Sequence, residues 1–569
     1  MHKVEPSLNP VWSGATQPRI LFTSVFGPYA QDDEFGSRAI NPMELYHNQV
    51  TRMQGPFSLR MFHRSWGLML LRENVSVPSV LLDFPTRERF IDELRCENYD
   101  LIAISAIPPN HLKVAEMCRL IHEYQPKAKI IVGGHISGLP RLRERVGADY
   151  VVRGEGVQWL RRFLGEDESA PIRHPRILSG IGARTMGMSL SDMPGTPKRP
   201  GDVAATVIPS VGCPMGCNFC ATSAMFGGKG RFINFYETGD ELFEVMCGIE
   251  RDMHVQSFFV MDENFLLHRK RALRLLELME KCGKSWSLYV FSSANVLKSY
   301  TIEQLVSLGI SWIWMGLEGK ESSYHKLAGA DTRDLVRTLQ SHGISILGST
   351  IIGLEEHSPE NLDEAIDYAV SHDTEFHQFM LYTPVPGTTL FQEHLAAGTL
   401  LDPDCEGASD IHGQLSFAHV HPLIPPGEET RYLHRAFERD FEVNGPSIVR
   451  MARTALAGWK RYGNAPDPRV RARFQREGRV LPVEYVAALA GARLWFRDQP
   501  EMQAKIDALL GEFKSTFGWR SRLAAVFGGR FVYRRLKQEA QRMAEGIVIE
   551  PPTFYETEPT GAYSSSLSS

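Results

Sequence analysis

The sequence predicts an α/β protein in three parts: a doubly wound, Rossmann-like parallel sheet, then a parallel barrel or partial barrel, then a mainly helical region. Three observations predict it. Short β-branched runs alternate with amphipathic stretches through the first third, and after an interval rich in Gly, Pro and Ser the alternation resumes for six rounds. From about residue 420 the apolar spacing turns helical.

Taken in order, "RILFTSVF" from Arg19, "PSVLLDF" from Pro78, "YDLIAISAI" from Tyr99, "AKIIVGG" from Ala128 and "ADYVVRGEG" from Ala148 read as buried strands. Between them, "NHLKVAEMCRLIHEYQ" repeats apolar residues at helical spacing through Leu112, Ala115, Met117, Leu120 and Ile121. This unit is placed at 15–165. Ligands of open parallel sheets bind beyond the carboxyl ends of the strands. Those ends carry Ser24, Ser105, Gly133, Gly134, His135, Gly154 and Glu155. Plain turn-making is the alternative for the glycines, and a turn is favoured for His135 over a ligand role. No GxGxxG follows the first strand, which argues against a nicotinamide site.

Residues 166–203 read as a linker. "AATVIPS", "SFFVMDE", "WSLYVFSS", "SWIWMGLEG", "ISILGSTIIG" and "FHQFMLYTPVPG" follow as six strands within 204–400. Six such units without reversal favour a barrel or partial barrel, whose chemistry sits at the carboxyl ends of its strands. A helical domain is placed at 420–550 and a disordered tail at 551–569.

A chain of 569 residues is too long for one core. Hydrophobic residues at 43% and charged residues at 23% suit a folded globular chain, and a net charge of −5 gives no reason to expect nucleic acid. Five of the eight cysteines are scattered, which makes no disulfide framework, and the first residues have no apolar signal core. A cytoplasmic location is expected. No apolar run reaches the ~18 residues of a membrane span.

The other three cysteines, Cys213, Cys217 and Cys220, lie in "SVGCPMGCNFCATS" directly after the first barrel strand. Three thiolates on a [4Fe-4S] cluster leave one iron open to a small molecule, whereas a partial zinc site is the bland alternative. The loop resembles that of the radical S-adenosylmethionine (SAM) enzymes, whose Cys-x3-Cys-x2-Cys loop lies at the same place in a partial (β/α)6 barrel. The resemblance covers roughly residues 204–400 and includes Phe219 before the last cysteine, Asp262 and Glu263 in "MDENF", Glu318 in "GLEG", and Ile351, Gly353 and Glu356 in "STIIGLEE". It implies that Phe219, Asp262, Glu263, Glu318, Ile351 and Gly353 bind SAM. Ser349 stands where the fifth-strand motif has its first glycine. Helix capping is the alternative for Asp262 or Glu263, and a surface pair with Lys320 or Lys326 for Glu318.

With the doubly wound unit in front, the whole resembles the cobalamin-binding radical SAM family, in which "VGGH" and "RGEG" runs are frequent. The resemblance implies cobalamin at the carboxyl ends of the first sheet. No Asp-x-His-x-x-Gly run supplies a cobalt histidine. The implied activity is methyl transfer to an unactivated carbon of a small-molecule or lipid substrate, drawing on a one-electron reductant such as flavodoxin or ferredoxin. Ring closure, rearrangement or carbon–carbon coupling on a lipid or tetrapyrrole is the second reading, and a non-catalytic cobalamin or redox sensor the third. "RMARTALAGWKRYG" and "AAVFGGRFVYRRLKQ" mix apolar and basic residues, the pattern of helices that lie on anionic membranes. Peripheral membrane contact is therefore an expectation beside ordinary packing on the barrel.

Overall fold

The computed structural model describes residues 10–14, 17–27, 49–59, 64–179, 184–185, 188–189, 203–317, 332–401, 413–546 and 553–557. The first sheet contains β1 (Ile20–Ser24), β2 (Ser79–Asp83), β3 (Leu101–Ser105), β4 (Lys129–Gly133) and β5 (Tyr150–Val151), all parallel in the order 2-1-3-4-5. Alternate residues feed opposite cores. Ile20 and Phe22 pack with Leu68, Leu160 and Phe163, while Leu21 packs with Phe90, Val114 and Met117. Burial on both faces is why these strands read as unbroken apolar runs. The order reverses between β1 and β3, which opens a crevice at their carboxyl ends.

The interval expected to be a linker is partly structured. Within it β6 (Ile177–Ser179) pairs antiparallel with the first barrel strand, and β7 (Arg184–Thr185) and β8 (Met188–Ser189) form a small hairpin. Ile177 and Ser179 are buried, so a three-residue edge strand hides among polar neighbours.

The second sheet follows: β9 (Ala204–Val207), the hairpin β10 (Ser210–Val211) and β11 (Ile233–Asn234), then β12 (Ser257–Val260), β13 (Ser287–Ser292), β14 (Ile310–Gly316), β15 (Ser345–Ile352) and β16 (Phe376–Leu381). Its order is 16-15-14-13-12-9-6, six parallel strands with β6 as an antiparallel edge. The sheet is open, a partial barrel. Leu288, Val290, Ile313 and Met315 enter the core shared with the surrounding helices. Their alternate neighbours Phe291 and Trp314 are only half-buried and stack at 4.9 Å between ring centroids, with Phe259 5.7 Å from Phe291. The concave side is therefore aromatic.

The C-terminal helices close the amino ends of these strands. Arg450 donates to the Thr374 carbonyl at 2.6 Å, Arg473 to Ile310 at 3.1 Å and Arg476 to Ser285 at 2.7 Å. That leaves the carboxyl ends for chemistry.

The tail departs from expectation as well. Residues Phe554–Glu556 form β17, antiparallel to β2 at the edge of the first sheet. Glu556 takes Arg64 and the buried Arg72, both at 2.9 Å, and the Arg64 guanidinium lies 4.0 Å from the Phe554 ring centroid. A buried arginine needs an anionic partner, which fixes this segment despite its polar surroundings.

Candidate functional site

The cysteine loop leaves the carboxyl end of β9, and the β10–β11 hairpin closes its base. Gly216 turns it with φ +67°, where a Cβ would meet the Lys229 Cα at 2.6 Å. Only glycine fits there. Cys220 caps the short Ala221–Met225 helix, its sulfur accepting from the Ser223 amide at 3.5 Å, while the Ser223 hydroxyl donates to the Cys213 carbonyl at 2.8 Å. The first and last cysteines are thus bound to one residue.

Burial pushes the Cys213 thiol up to about 11, and neighbouring Cys220, Cys217 and Glu263 push the same way. Cys220 is raised by burial and by Cys217 and Glu263. Thiols that feel one another's charge and are half-buried suit a strongly cationic guest that would hold them as thiolates. Amide donation to the Cys220 sulfur is an interaction that tunes iron–sulfur sites. Among the described residues no three His, Cys, Asp or Glu side chains converge as they would on a single metal ion.

Asp262 and Glu263 separate sharply. Asp262 is 1% exposed. Its Oδ2 accepts from Arg271 at 2.5 Å and from the Ser210 hydroxyl, and its Oδ1 accepts from the Asn264 amide at 3.0 Å. Arg271 also donates to Asn234 at 3.2 Å, so this pair pins the β10–β11 hairpin beneath the loop. Asp262 is therefore structural, contrary to its expected place against SAM. Glu263 faces the cysteines instead: its Oε2 is buried without a hydrogen-bond partner, and burial lifts its carboxyl to about 7. A buried, unpartnered carboxylate oxygen beside the cluster loop fits the cationic groups of SAM.

Phe219, Ile351, Leu354, Tyr382 and Leu390 form an apolar cluster across the loop and the ends of β15 and β16. The Leu390 amide donates to the Asn218 carbonyl at 3.0 Å, stitching the loop to the segment after β16. A Cβ on Gly353 would overlap the Phe417 ring. Ser349 donates to Gln378 at 3.0 Å, so its hydroxyl is engaged across the strand pair. Glu318 lies outside the described residues. Leu390, the last residue of the "TPVPGTTL" run after the sixth barrel strand, and Asn218, inside the cysteine loop, belong to this neighbourhood together with Tyr382.

In the first sheet, Ser105 stands in register with both Ser24 and Gly133 at the carboxyl ends. Gly134 has φ +87°, and a Cβ there would lie 2.6 Å from the Ala106 carbonyl oxygen. His135 opens a short turn (His135–Gly138) as expected, and burial lowers its pKa. Two of the candidates serve the fold instead. The Ser24 hydroxyl accepts from the Phe84 amide at 2.8 Å, and Glu155 caps the Gly156–Leu164 helix through Val157 at 2.7 Å and Gln158 at 2.6 Å. Ser105, Gly133, Gly134, His135 and Gly154 remain as a mostly small-residue rim at the carboxyl ends of β3, β4 and β5.

The two rims meet. Arg153 donates to the Gly387 carbonyl at 3.0 Å and reaches the Ala224 carbonyl at 3.5 Å, joining the end of β5 to the loop after β16 and to the helix after the cysteines. Gly138 abuts the Pro386 carbonyl so closely that a Cβ would overlap it. The carboxyl ends of both sheets therefore lie toward this contact.

Comparison with known families supplies the deciding observation: a B12 binding domain model matches residues 69–164 and a radical SAM superfamily model matches residues 207–369. The chain joins a B12-binding domain to a radical SAM domain. This order is the one the sequence resemblance implied. Among curated relatives, an uncharacterized methyltransferase of Pyrococcus horikoshii is 23% identical over 56% of the chain and 74% of its own length. The bacteriochlorophyllide d C-8(2)-methyltransferase of Chlorobaculum tepidum is 22% identical over 59% and 78%. The anaerobic magnesium-protoporphyrin IX monomethyl ester cyclase of Cereibacter sphaeroides is 24% identical over 55% and 56%.

Proposed function

We propose that this protein is a cobalamin-dependent radical SAM enzyme that methylates an unactivated carbon of an apolar, ring-bearing small molecule. The observation that carries the reading is the Arg153 contact, which holds the rim of the B12-binding domain against the loops that flank the cysteines. Cys213, Cys217 and Cys220 would hold the [4Fe-4S] cluster, Glu263 the amino group of SAM, and Ser105, Gly133, Gly134, His135 and Gly154 the edge of the corrin. When bound, these cofactors supply electron transfer, radical generation and the methyl donor.

The chain's own work is to bind, orient and exclude water. Glu263 offers a carboxylate that a cation satisfies. Phe259, Phe291 and Trp314 offer an apolar wall on the concave side of the barrel, which suits planar or polycyclic substrates. The methyltransferases among the relatives support methyl transfer, and the bacteriochlorophyllide for which one of them is named agrees with an aromatic wall. Ring closure is the second reading because a cyclase is also among the relatives.

The test is anaerobic incubation of the reconstituted full chain with reductant, SAM and host-cell extract. Methyl transfer yields S-adenosylhomocysteine together with 5′-deoxyadenosine, and both disappear in the Cys217→Ala variant. 5′-Deoxyadenosine without S-adenosylhomocysteine would favour the cyclase reading.

A further inference from the structure

The sequence offers two segments for membrane contact, and the structure separates them. Helix Ser447–Tyr462 is committed to the interior: Ile448, Ala452 and Leu456 are buried in the C-terminal core, and Arg450 pairs with Asp440 at 2.8 Å. Two of its outer basic residues are also paired, Arg453 with Asp373 at 2.6 Å and Lys460 with Glu512 at 2.7 Å. The apolar face of that helix is not available to lipid.

The bend between helices Pro500–Phe517 and Gly529–Ala544 is different. Trp519 is 68% exposed, Leu523 49%, Val526 48% and Phe527 69%. Spacings of four, three and one along a helical stretch put all four on one side. Val483 joins them from the neighbouring turn, which the Ser521 hydroxyl holds through the Pro482 carbonyl at 2.9 Å. Single exposed apolar residues are ordinary, but a contiguous set with two large aromatics marks an interaction face.

This face is held rigidly. Behind it Ala524, Val532 and Leu536 are buried, and a Cβ on Gly528 or Gly529 would lie 2.6 Å from the Cβ of Ala487 or Ala490. Such close helix packing prevents Val526 and Phe527 from turning inward.

Charge identifies the partner. From residue 513 to residue 538 the chain carries Lys514, Arg520, Arg522, Arg530, Arg534, Arg535 and Lys537 and no acidic residue, although the whole protein is net acidic. An apolar ridge with an aromatic at each end, set among cations, matches the boundary between anionic headgroups and acyl chains. Tryptophan in particular favours that boundary. We propose that the 519–527 bend inserts Trp519, Leu523, Val526 and Phe527 into the surface of an anionic bilayer, with the surrounding arginines and lysines on the headgroups. The proposal is independent of the reaction assigned above.

The experiment is co-sedimentation of the full chain with vesicles of phosphatidylcholine alone, or of phosphatidylcholine with phosphatidylglycerol at about 3:1. Binding is expected to the anionic vesicles, with at least a ~10-fold weaker partition to neutral ones and release at high salt. The double variant W519S/F527S, whose exposed positions leave the fold and thermal midpoint unchanged, should lose anionic binding by ~10-fold or more. Absence of vesicle binding by the folded protein overturns the proposal. So does binding that the double variant retains. If vesicles are ignored while the double variant abolishes self-association or the capture of an acidic flavodoxin, the face is a protein interface and the proposal is likewise wrong.

Discussion

Asp262 and Glu263 are adjacent carboxylates with opposite duties, and the difference comes entirely from what surrounds each one. Asp262 spends both oxygens on Arg271, Ser210 and Asn264, whereas Glu263 turns a bare oxygen toward the cysteine loop. Breaking a buried ion pair from one side costs about 3–5 kcal/mol, so Asp262→Asn should lower the thermal midpoint and the bound iron together. Glu263→Gln should leave midpoint and iron unchanged while weakening SAM binding by about tenfold to 100-fold, since a hydrogen bond to a charged group contributes ~1.5–3 kcal/mol. Calorimetric titration with SAM and scanning calorimetry on both variants separate the two roles, and equal SAM affinity in Glu263→Gln and the parent would remove Glu263 from the site. The sequence could nominate this pair but not divide it. The partner that decides, Arg271, lies on the next helix and becomes visible only once that helix packs beneath the loop. Ser24 and Glu155 are alike in this: each ends a strand where a ligand residue belongs, yet a backbone amide nearby claims the side chain.

Individual elements were legible where their burial pattern was strong. The eleven strands quoted from the two sheets all form, because burial on both faces or on alternate positions leaves an apolar signature. β6 and β17 escaped because they are three-residue edge strands whose stability comes from partners far away in sequence. The interval before the barrel also contains a pH-sensitive anchor. His174 is buried, and its Nε2 accepts from the Ile208 amide at 2.9 Å, tying the interval to the end of β9. Burial first, and the nearby Arg176 charge second, lower its pKa to about 4. The native state keeps this imidazole neutral, while the unfolded chain protonates it below about 6.5. Its contribution is therefore complete above pH 6.5 and lost as pH falls toward 4. At ~1.4 kcal/mol per unit the loss is of the order of 3 kcal/mol. Thermal midpoints between pH 4 and 7 should fall less steeply for His174→Gln than for the parent, and parallel curves would contradict this role.

On the scale of the whole molecule, the order of the domains follows from the sequence but their juxtaposition does not, because no local pattern records that Arg153 reaches Gly387 or that Gly138 meets Pro386. That contact sets how the two carboxyl-end rims face each other. Arg153→Ala should leave iron and cobalamin content unchanged yet slow methyl transfer by about tenfold to 100-fold, the scale of loss when reacting groups are misplaced by an ångström. Product formation against cofactor content, measured on the same preparation, tests this. The central claim, that the cysteine loop and the small-residue rim open on one crevice, is tested most directly without any substrate: pulsed electron paramagnetic resonance on the full chain loaded with cobalamin, reconstituted with iron and sulfide, and reduced so that the cluster and cob(II)alamin are both paramagnetic. The account predicts a dipolar coupling on the cob(II)alamin signal that vanishes in Cys217→Ala. A cob(II)alamin signal with no coupling, in protein shown to hold both cofactors, would contradict it.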